Sequence, residues 1–278
     1  MFTDANQLGP LVSTSQAGRE QVSLLEKRLG HFYNTTNDYA AFSAPSEHAV
    51  WLKLVAEEIK GKFLRCGARI RVLEAGAGLG SSFDKVEGLE RAMIHYTAQD
   101  IAGTVEGRLG EVADAVHLGP LGTLDGQFNL IFSLFVLEHV ANPEEFLTEV
   151  TRLLSPGGTH VIICPRYDIP GYVCPSMRHL RAMQLFGVET RRLARNALTQ
   201  CRAAGPSFWV NTDPALFHRK WRRDTDAVHI VCQSDLLQWH CRRGYRARRL
   251  IPQSAGLLDL LLKRVATVCL AFDKVEPN

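Results

Sequence analysis

Residues 72–82 read VLEAGAGLGSS, an apolar run that ends in a glutamate and is followed by three glycines at alternating positions. This pattern is typical of a buried strand whose end approaches a polar or charged ligand. A dinucleotide-binding turn would carry glycine or alanine where Ser81 stands, and no Gly-Lys-Ser/Thr follows for a phosphate loop. Glu74 would repel a pyrophosphate but can accept hydrogen bonds from an ammonium group. The turn therefore predicts a zwitterionic or cationic ligand.

A second acidic residue, Asp100, ends the next predicted strand, IHYTAQD at 94–100. An ionised carboxylate at that position can accept hydrogen bonds from both hydroxyls of a ribose, because it offers two oxygens to two donors. Together with Glu74, this acid indicates a nucleoside that carries an amino-acid-like end.

Strands and helices alternate on both sides of the glycine-rich turn. Predicted strands cover 69–75, 94–100, 115–118, 128–135 and 159–165, with helices shortly after Gly80 and over 102–113 and 143–154 between them. This alternation predicts a Rossmann-like α/β fold, a doubly wound and mostly parallel sheet with an antiparallel last strand. Amphipathic helices are predicted before the sheet at 15–30 and 46–64, and the tail reads as a helix at 234–243, a strand at 245–251, a helix at 256–263 and a strand at 265–272.

Four segments follow from this pattern. Residues 1–65 are predicted to form N-terminal helices and a lid, and residues 66–165 the ligand-binding core. Residues 166–233 do not fit the alternation and are interpreted as an inserted cap that determines substrate specificity. Residues 234–278 return to the core sheet.

The glycine-rich turn, the downstream acid and the run VLEHVANPEEFLTEVTRLLSPGGTHVIICP at 136–165 resemble class I S-adenosylmethionine-dependent methyltransferases. The similarity covers 69–165 and, loosely, the last two strands. It implies S-adenosyl-L-methionine as cofactor and S-adenosyl-L-homocysteine as product. By the same resemblance, the cofactor would contact the glycine-rich turn (Glu74, Ala75, Gly76, Gly78), the ribose-binding strand end (Asp100, Ile101), an adenine-binding position (Asp114, Ala115) and the end of the fourth core strand (Leu134, Phe135).

His139 is the candidate catalytic base, because it follows the fourth core strand and because an ordinary histidine pKa of about 6.5 suits proton abstraction near neutral pH. The alternative is that His139 only anchors the loop that follows it. Asp226 and His218 are weaker candidates for the base. Four further side chains are candidates for acceptor binding or, for the two tyrosines, for a lid near the sulfonium: Tyr33, Tyr39, Trp221 and His229.

Charge and cysteine content limit the classes of partner and cofactor that the sequence predicts. Residues 1–150 carry 12 lysines and arginines against 20 acids, a balance of −8, whereas residues 151–278 carry 20 against 9, a balance of +11. An anionic acceptor is therefore an open alternative, but no nucleic-acid-binding motif accompanies the arginines. The 7 cysteines are scattered and never form a C-x-x-C pair, so we expect reduced thiols and no metal. Neither a signal peptide nor a membrane span is predicted, which favours a cytoplasmic location.

Three functions are compatible with these patterns. The first is O-methylation of a hydroxyl on a small molecule or saccharide, as in natural-product or polysaccharide pathways. The second is N- or C-methylation of a small molecule. The third is a non-catalytic scaffold that binds the cofactor, which the intact glycine-rich turn and Asp100 disfavour.

Overall fold

A computed structural model describes residues 11–13, 19–35, 49–81, 83, 86–201, 204–213, 216, 224–253 and 256–275. The strands in these residues are β1 (Leu11–Ser13), β2 (Ile70–Ala75), β3 (Ile94–Asp100), β4 (Ala115–Leu118), β5 (Phe128–Leu134), β6 (Leu154–Pro165), β7 (Trp209–Asn211), β8 (His229–Ile230), β9 (Tyr245–Arg249) and β10 (Thr267–Lys274). The helices are α1 (Arg19–Thr35), α2 (Ala49–Cys66), α3 (Glu106–Val112), α4 (Pro143–Leu153), α5 (Ala182–Gln200), α6 (Gln233–Cys241) and α7 (Leu257–Ala266).

Seven strands form the central sheet in the order β4-β3-β2-β5-β6-β10-β9. Strands β2 to β6 pair in parallel, and β10 is antiparallel to both β6 and β9. The inner strands β2 and β5 are almost wholly buried, as expected for a parallel sheet that is covered on both faces. The predicted Rossmann-like α/β fold with an antiparallel last strand is thus confirmed. Among the described helices, none combines the length and apolar character needed to cross a bilayer.

The strand order predicts where in the sheet the ligand crevice lies. From β2 the chain moves outward to β3 and β4, and then returns to pair β5 on the other side of β2. In open α/β sheets, ligands bind in the crevice at the carboxyl ends of the strands where the order reverses. The crevice in this protein lies between the ends of β2 and β5, at Ala75 and Leu134.

The helix predicted shortly after Gly80 falls largely on residues 82, 84 and 85, which lie outside the described residues. A 3-10 turn at Arg91–Met93 precedes β3. The amide of Ser81 donates to the side chains of Glu74 and Tyr96. These bonds fix the end of the glycine-rich turn to β2 and β3.

The insertion contains the helix α5 and the short strands β7 and β8. These two strands form a second, three-stranded sheet together with β1. Its strand β7 pairs antiparallel with both β1 and β8, so the insertion is tied to the N-terminal segment. Helix α5 packs against α6. The insertion therefore contacts both the chain that precedes the core sheet and the chain that follows it.

Candidate active site

A cavity of about 1120 Å³ opens at the carboxyl edge of β2, β3 and β5. Its floor is the glycine-rich turn after β2, the residues after β3 and the residues after β5. Helices α1, α2 and α4 supply the rest of the wall. Of the predicted site residues, the lining includes Glu74, Gly76, Gly78, Asp100, Ile101, Leu134, Phe135, Tyr33 and His139.

The two glycines of the turn have different surroundings. Gly76 has a φ of 72°, and a Cβ there would lie 2.5 Å from Val136, so a side chain is excluded by packing. Gly78 has a φ of 53°, but a Cβ there would meet no atom within 4 Å. Gly78 thus presents its backbone to open space in the cavity, as a close-fitting ligand would require.

Glu74 fixes the shape of this turn. Its carboxylate accepts hydrogen bonds from the Ser81 amide (3.0 Å), the Ser81 hydroxyl (2.8 Å) and the Tyr96 hydroxyl. Burial raises the pKa of Glu74 to about 7, although the bonds from Tyr96 and Ser81 act in the opposite direction. Direct contact between Glu74 and a ligand ammonium stays a prediction, and one oxygen, Oε1, has the single partner Ser81 among the hydrogen bonds described.

Asp100 lies at the end of β3 and faces the cavity. Its Oδ2 accepts from the Gly78 amide at 2.7 Å and its Oδ1 from the Ala102 amide at 2.8 Å. Each oxygen keeps a second lone pair for a further donor. Burial raises the pKa of Asp100, and backbone hydrogen bonds from Ala102, Gly78 and Ile101 oppose the shift.

Apolar side chains flank these polar groups. Ile101 is 44% exposed beside Asp100, and Leu134 and Phe135 end β5. Phe135 has a φ of 55°, a strained conformation for a residue with a side chain, and its ring packs edge-on against Trp51 at 6.0 Å. Strain of this kind is often found at ligand-binding sites.

The structure does not bring Asp114 and Ala115 to the cavity. Both residues lie at the amino end of β4, which in a parallel sheet is the edge opposite to the ligand crevice. Asp114 accepts from the Tyr96 amide (2.7 Å) and pairs with Arg91 (3.2 Å). The loop at the carboxyl end of β4, Pro120 to Gly122, lines the cavity instead. The Gly-Pro pair at 119–120 was the sequence signal for this loop.

His139, Asp226 and Tyr33 come together from three separate parts of the chain. His139 ends a 3-10 turn after β5, and its Nδ1 lies 3.2 Å from Oδ2 of Asp226, which belongs to the insertion. The Tyr33 hydroxyl, on α1, donates to the same Oδ2 at 2.9 Å. His139 and Tyr33 line the cavity, whereas Asp226 is 2% exposed behind them. The arrangement is an ion pair between an imidazole at the cavity wall and a buried carboxylate.

Burial and neighbouring charges determine the protonation states of His139 and Asp226. Burial opposes protonation of His139, but the charges of Asp226 and Glu138 outweigh it and raise the His139 pKa to about 10. For Asp226, burial acts to raise the pKa, but His139 and Tyr33 hold it below its usual range. Near neutral pH the pair is therefore an imidazolium and a carboxylate.

Glu138 is the least satisfied acid of the site. It is fully buried, and neither of its carboxylate oxygens has a hydrogen-bond partner among the described residues. Burial raises the pKa of Glu138 to about 8, although the neighbouring His139 lowers it. Its Oε1 lies 4.0 Å from Nε2 of His139. Glu138, His139 and Asp224 each offer one ligand atom within 4.8 Å of the others, a spacing that could hold a divalent cation.

The other residues predicted to bind or deprotonate the acceptor either do not line the cavity or lie outside the described residues. His229 is buried, and its Nδ1 lies 2.9 Å from the carbonyl oxygen of Leu137. Burial lowers the pKa of His229 to about 4, so this ring is neutral and holds the turn that carries His139. Tyr39, His218 and Trp221 lie outside the described residues.

Comparisons with known proteins find similarity to methyltransferases. Residues 73–162 match the family model described as a methyltransferase domain. A probable S-adenosylmethionine-dependent methyltransferase of Mycolicibacterium smegmatis (strain ATCC 700084 / mc(2)155) is 30% identical over 172 residues, covering 59% of this chain and 62% of the relative. The norajmaline N-methyltransferase of Rauvolfia serpentina is 24% identical over 173 residues, covering 57% and 56%. The chain thus spans about three-fifths of the length of these two relatives.

Solved structures share the fold. The plantazolicin methyltransferase BpumL in complex with SAH superposes with a TM-score of 0.52 at 10% identity, covering 93% of this chain and 99% of that one. The DhpI–SAH complex gives 0.51 at 15% identity, covering 92% and 98%. The family model and the solved structures thus agree on a methyltransferase-like fold, and the match to the methyltransferase domain covers residues 73–162.

Proposed function

We propose that this protein binds S-adenosyl-L-methionine in the cavity and transfers its methyl group to a hydroxyl of a small molecule or saccharide. One observation carries the proposal: His139, which is paired with the buried Asp226, lines the same cavity as the glycine-rich turn and Asp100. The proposal thus joins a binding site for the cofactor to a base for the acceptor.

The residues of the cavity fit the cofactor. A volume of about 1120 Å³ exceeds the roughly 300–1,000 Å³ of a typical single-ligand pocket, so a cofactor and an acceptor can be held together. Gly78 leaves open space over its backbone, Asp100 has lone pairs for ribose hydroxyls, and Ile101 offers an apolar surface to a purine ring. When bound, the cofactor supplies a methyl group that its sulfonium has already activated.

The protein's task is then to align the acceptor and to remove its proton. Nδ1 of His139 faces Asp226, so once His139 has lost its own proton, which its raised pKa places in the alkaline range, Nε2 is the ring nitrogen that accepts the proton from the acceptor hydroxyl. Asp226 stabilises the imidazolium that forms, and the Tyr33 hydroxyl holds Asp226 in place.

N-methylation is the second candidate, and charges at the cavity opening favour it. Glu26 on α1 and Glu145 on α4 both line the cavity and are exposed, so they lie at its rim. Burial and the negative charge of Glu145 both raise the pKa of Glu26. Lys27 and Lys53 also line the cavity and are exposed, so the negative charge is local to the neighbouring carboxylates of Glu26 and Glu145, and these two attract a protonated amine. The same base, His139, would take the proton of that amine.

A product screen tests the proposed function. The purified protein is incubated with S-adenosyl-L-methionine carrying an isotope-labelled methyl group and with panels of sugars, phenols, amines and lipids, and products are identified by mass spectrometry. We expect label on an oxygen of one acceptor class. Label only on nitrogen would select the second candidate. Calorimetry in which neither S-adenosyl-L-methionine nor S-adenosyl-L-homocysteine binds would overturn both.

Replacing Glu26 by glutamine is expected to raise the KM for a cationic amine acceptor by roughly three- to tenfold and to leave a neutral acceptor unaffected, because only the cation loses attraction at the rim. Steady-state kinetics at low and high salt measure the effect, which should shrink as salt screens the charge. Glu20→Gln, on the same helix but outside the cavity lining, is the matched control. Equal changes for both acceptors would contradict the assignment.

Treatment with a chelator is expected to leave both cofactor binding and turnover unchanged. The sulfonium needs no Lewis acid, and a cation held by Glu138, His139 and Asp224 would occupy the nitrogen that the base requires. Turnover before and after EDTA, with and without added Mg²⁺ or Mn²⁺, provides the measurement. Activity that disappears with EDTA and returns with the metal would make His139 a ligand rather than the base.

A further inference from the structure

Helix α5 exposes its apolar side to solvent. Met183 is 87% exposed, Phe186 75%, Leu198 48% and Leu193 37%. At about 100° per residue these side chains fall on one face of the helix, where small or uncharged residues complete an apolar stripe: Gly187, Thr190, Ala194 and Ala197. The apolar stripe is defined here as these eight residues.

The opposite, buried side of α5 carries one buried apolar residue, Val188, and three buried polar ones. Arg192 is 1% exposed; its guanidinium donates to the carbonyl oxygens of Tyr167 and Ile169 and pairs with Glu189. Asn196 and Thr199 are buried on the same side. The helix cannot roll to bury its apolar stripe, because the Arg192 charge would then lose these partners at a large energetic cost. The exposure of the stripe is therefore built into the fold.

An exposed apolar surface of this kind needs an explanation. Single exposed apolar residues are ordinary, but a contiguous patch bordered by charged residues marks a surface that meets a partner. A helix of 19 residues is about 28 Å long at ~1.5 Å per residue, so the stripe can cover a flat partner along its whole length.

The charge around the stripe is positive. Arg178 and Arg181 are exposed at the start of the helix, and Arg191 is exposed along one edge. The single acid of α5 is Glu189, which is paired with Arg192. The partner that complements this helix is thus both apolar and anionic.

We propose that α5 binds the surface of an anionic phospholipid membrane, with its apolar stripe at the boundary between headgroups and acyl chains. Apolar side chains between arginines are the composition of helices that lie in the plane of a membrane surface. The proposal is independent of the methyl-transfer reaction.

A second copy of the chain fits this surface less well. In an antiparallel pair of α5 helices related by a two-fold axis, the edge carrying Arg191 would face itself, and like charges would repel. In a parallel pair the same edge would face Glu189, whose carboxylate is already bound by Arg192. Anionic lipid provides the missing negative charge without either difficulty.

Co-sedimentation with vesicles tests the proposal on the full chain. We expect the wild-type protein to bind phosphatidylcholine vesicles that contain phosphatidylserine, to bind pure phosphatidylcholine vesicles much less, and to be released by high salt. Phe186→Ser should lower the binding constant by about tenfold or more, because it removes the largest side chain of the apolar stripe. Leu64→Ser, which changes a 78% exposed side chain on α2, is the matched control and should bind like wild type.

Thermal unfolding of each variant, followed by circular dichroism, verifies that folding is intact. Three results would overturn the proposal: no binding to either vesicle, equal binding to both, or equal losses in Phe186→Ser and Leu64→Ser. Concentration-dependent dimers that Phe186→Ser abolishes, in the absence of vesicle binding, would assign the stripe to a second copy of the chain instead.

Discussion

Replacing His139 by alanine is expected to lower turnover by roughly 10²–10⁴-fold while leaving cofactor affinity nearly unchanged. The variant loses the imidazole that takes the acceptor's proton, but the glycine-rich turn and Asp100 remain intact. Turnover under saturating acceptor and the dissociation constant of S-adenosyl-L-homocysteine provide the two measurements. A structural role would give another pattern, in which thermal stability or cofactor affinity falls as much as turnover.

The pH dependence of the wild-type rate separates these roles further. Neutral imidazole accepts the proton, so the rate should rise with pH as His139 loses its own proton. From the sequence, this rise is expected near the ordinary histidine pKa of about 6.5. Asp226 and Glu138 raise the pKa of His139, so the structure moves the expected rise into the alkaline range.

Asp226→Asn is the control for this shift. The charge of Asp226 is the largest contribution that raises the pKa of His139, so its removal should move the rise of the rate to lower pH. The amide keeps the shape of the side chain and can still contact Nδ1. An unchanged pH profile in Asp226→Asn would exclude the pair as the base, and proton abstraction would then have to be assigned elsewhere in the insertion.

The cofactor half of the site could be predicted because it is local in sequence. The glycine-rich turn and Asp100 each follow directly from a buried strand, and parallel strands bring their carboxyl ends together. The hydrogen bond from the Gly78 amide to Asp100 shows that the turn after β2 contacts the end of β3. Asp114 shows the limit of position-by-position comparison, since a residue that begins a strand lies at the edge opposite to residues that end their strands.

The acceptor half depends on contacts between distant parts of the chain. Tyr33 and Asp226 are 193 residues apart and meet at one carboxylate oxygen. The sequence offered Asp226 and His218 as weaker alternatives to His139, and it carries no pattern that pairs one of them with the histidine. The apolar stripe of α5 was equally hidden, because its residue pattern is that of any amphipathic helix and only the tertiary structure decides which side faces solvent.

Asp100→Ala is expected to weaken binding of the cofactor by about 2–4 kcal/mol, or roughly 30- to 1,000-fold, since charge-assisted hydrogen bonds contribute about 1.5–3 kcal/mol each and do not add fully. The substitution removes the acceptor proposed for both ribose hydroxyls. It also frees the amides of Gly78 and Ala102, which the carboxylate holds in the folded protein. Calorimetric titration with S-adenosyl-L-homocysteine measures the loss.

Two further variants separate ribose binding from the support of the turn. Asp100→Asn keeps an oxygen for one amide but loses the charge and one acceptor, so we expect an intermediate loss of affinity. Asp114→Ala removes a carboxylate of the same sheet that pairs with Arg91 at the opposite edge. It should lower stability without changing cofactor affinity. Wild-type affinity in Asp100→Ala, or a comparable loss in Asp114→Ala, would refute the assignment, the latter in favour of the adenine contact that the resemblance implies for Asp114.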